Sequence, residues 1–181
     1  YIHGEEGLQR REQEIRFHFD SGPFFDIINA DWKQGGSYMK ESEWIGKICS
    51  SMELQCKKRG YAAPVDVLMD IGVLPKQKYE NWRNGRVDYL ERVCTVNLHK
   101  LSFIMSQIRA YARKQGLKPS FCYYKQWGVK KKNGQGHKPV VPLRFSKSGN
   151  AEIEKNYATH YVDSRRIAEI KGQSESKIEK Q

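Results

Sequence analysis

The sequence predicts an α+β fold, with a helical N-terminal part, a long central helix and a small C-terminal antiparallel β-sheet. Three observations carry that expectation. Apolar residues recur at helical spacing from Ile45 to Cys56 and again from Leu90 to Ala112, alternation replaces that period after Pro119, and Gly and Pro punctuate the boundaries. With 181 residues, 38% of them apolar and 12% aromatic, the chain can bury one substantial core. The division expected is an N-terminal helical arm over 1–36, one core domain over 37–163 that is helical to 118 and β-rich from 119, and a polar, frayed tail over 164–181.

The stretch from Glu5 to Phe19 is densely charged, with Leu8, Ile15 and Phe19 as a thin apolar stripe, and reads as a helix able to dock on a protein partner. Ser21-Gly22-Pro23 and Gln34-Gly35-Gly36-Ser37 are breaks around a short apolar element. From Lys40 to Arg59, Ile45, Ile48, Cys49, Met52 and Cys56 mark a helix that Gly60 closes. Pro64 opens a short helix to Ile71, and Pro75 precedes another from about Lys76 to Arg83. The strongest periodicity follows: Leu90, Val93, Cys94, Leu98, Leu101, Ile104, Met105, Ile108, Tyr111 and Ala112, closed by Gly116 and Pro119. At ~1.5 Å per residue this is a helix of roughly 40 Å, with His99, Lys100, Arg109, Arg113 and Lys114 on its outward face.

After Pro119, Phe121, Tyr123, Lys125 and Trp127 fall on one side of a strand and Cys122, Tyr124 and Gln126 on the other. Lys130 to Lys138 is a basic, glycine-bearing loop, and Val140 to Phe145 is the returning strand of a hairpin. Ala151 to Val162 fits a helix and a strand equally well, because Ile153, Tyr157 and Tyr161 satisfy both periods.

Charge is the most informative feature for function. From Arg92 to Ala151 the chain carries thirteen Lys and Arg residues and no Asp or Glu, whereas residues 1–91 hold thirteen basic and fifteen acidic residues and 152–181 hold six of each. The whole formal excess of +11 therefore comes from the middle. A segment stripped of acids attracts polyanions, which points to nucleic acid, with DNA expected ahead of RNA. No stretch approaches the ~18 apolar residues of a membrane span, and the start lacks the basic-then-apolar pattern of a secretion signal. Cys49, Cys56, Cys94 and Cys122 are scattered and form no closely spaced pair, so they read as reduced core thiols of a cytoplasmic protein. No metal or cofactor is expected, and no phosphate-cradling or dinucleotide-type glycine pattern occurs.

The expected contact surface combines the basic hairpin with the long helix. Lys125, Lys130, Lys131, Lys132, His137, Lys138, Arg144 and Lys147, with Lys100, Arg109, Arg113 and Lys114, supply charge, and Tyr123 and Trp127 supply rings. Cations beside rings hold phosphates while stacking exposed bases, although one face of any strand must also be buried, so about half of these rings are expected to be structural. A second signal lies at Val67 to Val73 followed by Lys76 to Arg83, about twenty residues that resemble the helix-turn-helix of DNA-binding proteins. That resemblance implies Lys76, Gln77, Lys78 and Asn81 as readers of base edges, with Arg83 and Arg86 on phosphates. Leu68 and the register of Tyr79 and Trp82 depart from the pattern, and a helical corner packing both rings into the core accounts for the same residues.

The residues favour a binding protein over an enzyme. If a reaction is present, it is phosphodiester cleavage by a nuclease: Glu152 and Glu154, sharing a strand face, would hold a metal ion, with Lys155 and His160 near the leaving group. Charged edges on a solvent face explain the same carboxylates. A third expectation is docking on an acidic protein partner through the basic segment.

Overall fold

A computed structural model describes residues 39–129 and 139–178, with side chains through 172. The compact unit that holds nearly all of them begins at Glu41. The N-terminal arm and the Lys130–Lys138 loop, including Lys130, Lys131, Lys132, His137 and Lys138, lie outside the described residues. The fold is α+β and dominated by helices, with a long helix and a small antiparallel sheet at its C-terminal side.

Helix α1, Glu41–Arg59, buries Trp44, Ile48, Met52 and Cys56, one turn-spaced stripe. Ile45, expected on that stripe, is exposed instead, because Trp44 takes the inward position. Gly60, at φ +79°, ends the helix in a left-handed conformation, and a side chain there would meet Ile167. Strand β1, Tyr61–Ala62, follows, then α2, Pro64–Asp70, and α3, Lys76–Arg83. A polar tie locks α1 to α2: Ser51 Oγ and Gln55 Nε2 each donate to Asp70 Oδ2 at 2.7 Å, and Arg59 Nη2 donates to Asp66 Oδ2 at 2.6 Å.

The long helix is shorter than its periodicity implies. Leu90–Val93 forms a separate 3-10 turn, and α4 runs Leu98–Lys114, 17 residues or about 25 Å at the usual rise. The break has a local cause. Thr95 N donates to the Val73 carbonyl at 2.9 Å, and the Asn97 side chain accepts from Lys100 N at 2.9 Å, an N-cap that starts a new helix. Leu90, Leu101, Ile104 and Ile108 still converge, with Leu68, Val73, Leu74 and Trp82, into the core that fills the space between α1, α2, α3 and α4.

The sheet also differs in its strands. Its order is β1-β3-β2, all antiparallel, with β2 at Lys118–Phe121 and β3 at Thr159–Val162. Lys118 pairs with Val162 and Phe121 with Thr159, so β3 is central and β2 is an edge. The expected hairpin between 121–127 and 140–145 shrinks to one bridge, Lys125 with Pro142, flanked by Gln126 N to Val141 O at 2.8 Å and Leu143 N to Tyr124 O at 3.0 Å. Pro139 and Pro142 have no N–H to extend that ladder. The ambiguity at 151–162 resolves into both elements, helix α5 at Ala151–Ala158 and then β3. The described part of the tail is helical: Asp163 Oδ1 accepts from Arg165 N and Arg166 N at 3.1 Å each, which starts helix α6, Ser164–Ile178, and Arg166 Nε donates to the Lys57 carbonyl of α1 at 2.9 Å.

Candidate functional site

The segment from Phe121 to Trp127 keeps the two-sidedness read from its sequence without being a regular strand. Tyr124 is buried against Trp82 and Phe145, at ring-centroid distances of 5.8 and 5.2 Å, whereas Phe121, Tyr123, Lys125 and Trp127 face out. The reason is the anchor beneath it. Trp82 of α3 is fully buried, contacts Tyr79, Tyr124 and Phe145, and donates from Nε1 to the Arg144 carbonyl at 2.8 Å, tying α3 to the 140–145 segment. The outward rings are unusually open: Tyr123 is 81% exposed, Phe121 53% and Trp127 42%. Phe121 and Tyr123 touch edge to face, centroids 4.9 Å apart and planes at 88°. Trp127 rests on the Arg83 guanidinium, 4.4 Å from the ring centroid, and its backbone N–H donates to the Arg83 carbonyl at 2.6 Å. An apolar cavity of about 350 Å³ opens beside these rings, lined among others by Phe121, Tyr123, Tyr124, Pro142 and Phe145, with Lys155 at its edge.

Several cations are exposed: Lys125 on the same stretch, Lys118 on β2 just before it, Lys155 of α5 in the cavity wall, and Lys147 on the turn after Phe145, which lines the cleft between α4 and α5. Arg144, exposed and one of the expected contact residues, organises that turn. Its Nε donates to the Ser146 carbonyl at 2.9 Å and its Nη2 to the Lys147 carbonyl.

The long helix does not present one outward row of cations. Lys100 is only 9% exposed, with Nζ 4.9 Å from the Trp44 ring centroid and 5.4 Å from that of Phe103, and burial lowers its pKa while Glu41 opposes the shift. Lys114 lies close enough to α1 to act on Cys49, while Arg109 turns the other way, into a cleft of about 600 Å³ between α4 and α5. Arg113 and His99 are exposed. The cleft brings Arg109 and Lys147 to one opening above Leu98, Leu101, Met105 and Ile153. The carboxylate that lines it is committed: Glu91 Oε1 accepts from Tyr157 OH at 3.2 Å and Oε2 from Lys147 N at 2.9 Å. A groove of about 530 Å³ formed by α1, α4 and α6 carries Lys57, Arg165 and Arg166 but also Glu53, Asp163 and Glu169, a mixed-sign wall unlike a polyanion site.

The carboxylates of the alternative nuclease reading, Glu152 and Glu154, are parted by the helix they sit on. Two residues apart on α5 means about 200° of rotation, so Glu152 is exposed and Glu154 turns inward. Glu154 accepts from Phe145 N at 2.9 Å, Ser146 N at 2.7 Å and Ser146 Oγ at 2.6 Å, which uses both of its oxygens to hold a turn. His160 is a packing residue on β3, stacked 5.4 Å from Tyr61 with Nε2 3.0 Å from Tyr124 OH, and burial lowers its pKa. Lys155 is exposed, on a helix whose two glutamates point apart. Among the described residues no group of three or more His, Cys, Asp and Glu is placed to hold a metal ion.

In the helix-turn-helix-like stretch, Lys76, Gln77 and Lys78 are exposed, but Trp82 fills the core and Arg83 lies over the rings of Tyr79, Tyr124 and Trp127. Packing thus claims α3's inner face and one of its expected phosphate contacts. Phe121, one of the rings that the alternation sets beside the basic hairpin, is in this surface, whereas Lys118, exposed at the start of β2, is not among the residues the sequence singles out. No family model, curated protein or solved structure matches this chain. No helix among the described residues is long and apolar enough to cross a membrane.

Proposed function

We propose that this protein binds nucleic acid through the surface formed by Phe121 to Trp127 and the Arg144–Lys147 turn, acting as a binding protein. The observation that carries the reading is the coincidence of three open rings with exposed Lys118 and Lys125 on a stretch, Arg92 to Ala151, that includes no acid, with Lys155 of α5 lining the cavity beside them. A surface that only keeps a protein soluble mixes both charge signs and hides its large rings. In the sequence, Lys130, Lys131, Lys132 and Lys138 follow directly on this stretch, and the reading counts them among its cations. DNA is the expected polymer and RNA the second arm of the test.

Phosphate contacts release counterions, so affinity falls with salt by about 0.9 log units per neutralised phosphate per log unit of salt on duplex DNA, and about 0.7 on single strands. Titrating labelled DNA and RNA by fluorescence anisotropy at several salt concentrations measures that slope. Replacing Lys125, Lys130, Lys131 and Lys132 with Ala is expected to flatten it by roughly 0.7–0.9 for each phosphate no longer neutralised. An unchanged slope removes these lysines from the interface, and absence of binding to every polymer overturns the reading.

A further inference from the structure

We infer that the polymer taken by this surface is single-stranded, with unpaired bases stacked on Tyr123 and Phe121 and one base reaching the apolar cavity beside them. This deepens the nucleic-acid reading above and rests on it. In a duplex both faces of each base are covered by neighbouring bases, so a protein ring gains contact with a base face only if the strand is open. Phosphate recognition alone needs no ring. Yet Tyr123 is 81% exposed, Phe121 53% and Val140 69%, an apolar surface left open in a region otherwise rich in lysine.

The geometry narrows the occupant further. The planes of Phe121 and Tyr123 stand at 88°, so the two rings offer their faces in nearly perpendicular directions. A continuous base stack, whose bases are parallel, cannot use both, whereas an open strand with splayed bases can. The cavity of about 350 Å³ beside them lies at the small end of the ~300–1,000 Å³ range of ligand sites, and its wall is mostly ring and aliphatic, suited to the flat face of a base. Glu154 lines it as well, its oxygens engaged by Phe145 and Ser146, and Lys155 on the same wall offsets its charge toward a polyanion. Lys155 at the cavity edge, with Lys118 and Lys125 on the neighbouring stretch, is placed for the strand's phosphates. An acidic protein would also satisfy the lysines, but a single strand carries a flat base on every phosphate-bearing unit and so meets open rings and cations together.

The test uses the full chain and three probes at one salt concentration: fluorescein-labelled oligo-dT and oligo-rU of about 20 nucleotides and a blunt duplex of similar length, read by anisotropy. The single strands are expected to bind at least about tenfold tighter than the duplex. Tyr123→Ala should weaken single-strand binding by roughly fivefold to 150-fold while leaving duplex affinity and the salt slope unchanged, and Tyr123→Trp should restore it. Because Tyr123 is so exposed, its removal leaves the fold intact, which far-UV circular dichroism verifies. Equal binding of duplex and single strand with no effect of Tyr123→Ala overturns the inference and leaves the phosphate-binding function standing. Failure of all three probes overturns both. The dT and rU arms distinguish DNA from RNA.

Discussion

Glu154 offers the sharpest check on whether the α5 carboxylates serve structure or chemistry. Changing it to Gln replaces one carboxylate oxygen with an amide donor. The carbonyl oxygen can keep Ser146 N and Oγ, now without charge assistance, but the amide then faces Phe145 N, a donor opposite a donor. Phe145 and Ser146 are both buried, so the stranded N–H has no ready access to water. A buried unsatisfied group costs about 1–3 kcal/mol, and removing charge assistance from the other bonds adds about 1 kcal/mol. Glu154→Gln should therefore destabilise by about 2–4 kcal/mol, a fall in Tm of roughly 4–16 °C for a chain of this length. Glu152→Ala, at an exposed position, should stay within about 0.5 kcal/mol of the parent. Urea unfolding followed by circular dichroism measures both. Equal stabilities for the two variants would refute the turn-holding role of Glu154 and return it to the pool of free carboxylates.

Trp82→Ala should cost about 3–5 kcal/mol in the same unfolding assay, because it empties a site packed by Tyr124 and Phe145 and removes the donor to the Arg144 carbonyl. Asn97→Ala should cost about 1 kcal/mol by removing the cap on α4, and no change would mean that the break before Leu98 has another cause. His160 has a lowered pKa in the folded state, so the unfolded chain binds more protons just below its ordinary value of 6.5; stability should fall as pH drops from there toward the folded value, and His160→Gln should remove that component of the pH dependence. Burial pushes the Cys56 thiol up to about 11 and the Cys94 thiol up to about 12, so at neutral pH mass spectrometry should find both unalkylated by iodoacetamide in the folded protein and modified once it is unfolded.

The contrast between Phe121–Trp127 and Glu152–Glu154 explains what is legible in the sequence. Alternation tells which residues of 121–127 face outward because burial of Tyr124 against Trp82 enforces it, whether or not the backbone forms a full ladder. The same period misplaces the glutamates, since Ile153, Tyr157 and Tyr161 fit both a helix and a strand, whereas Asn150, whose side chain accepts from Glu152 N and Ile153 N, caps a helix that holds both glutamates and gives way to β3 at Thr159. Periodicity likewise runs through Cys94–Asn97 because apolar spacing is blind to caps. Lys100 reads as outward because a long charged side chain is usually solvated, but its stem packs at the α1–α4 contact and its ammonium lies over Trp44. The pairing of β2 with β3 spans some forty residues of chain and leaves no local mark in either strand.

Ultraviolet crosslinking of the full chain to a single-stranded oligonucleotide, followed by peptide mass spectrometry, asks directly where a nucleic acid sits. Adducts concentrated on the peptides carrying Phe121, Tyr123 and Trp127 are the result expected from the ring-and-lysine surface. Adducts confined to the mixed-charge groove at Lys57, Arg165 and Arg166, or spread without preference over the molecule, would contradict it.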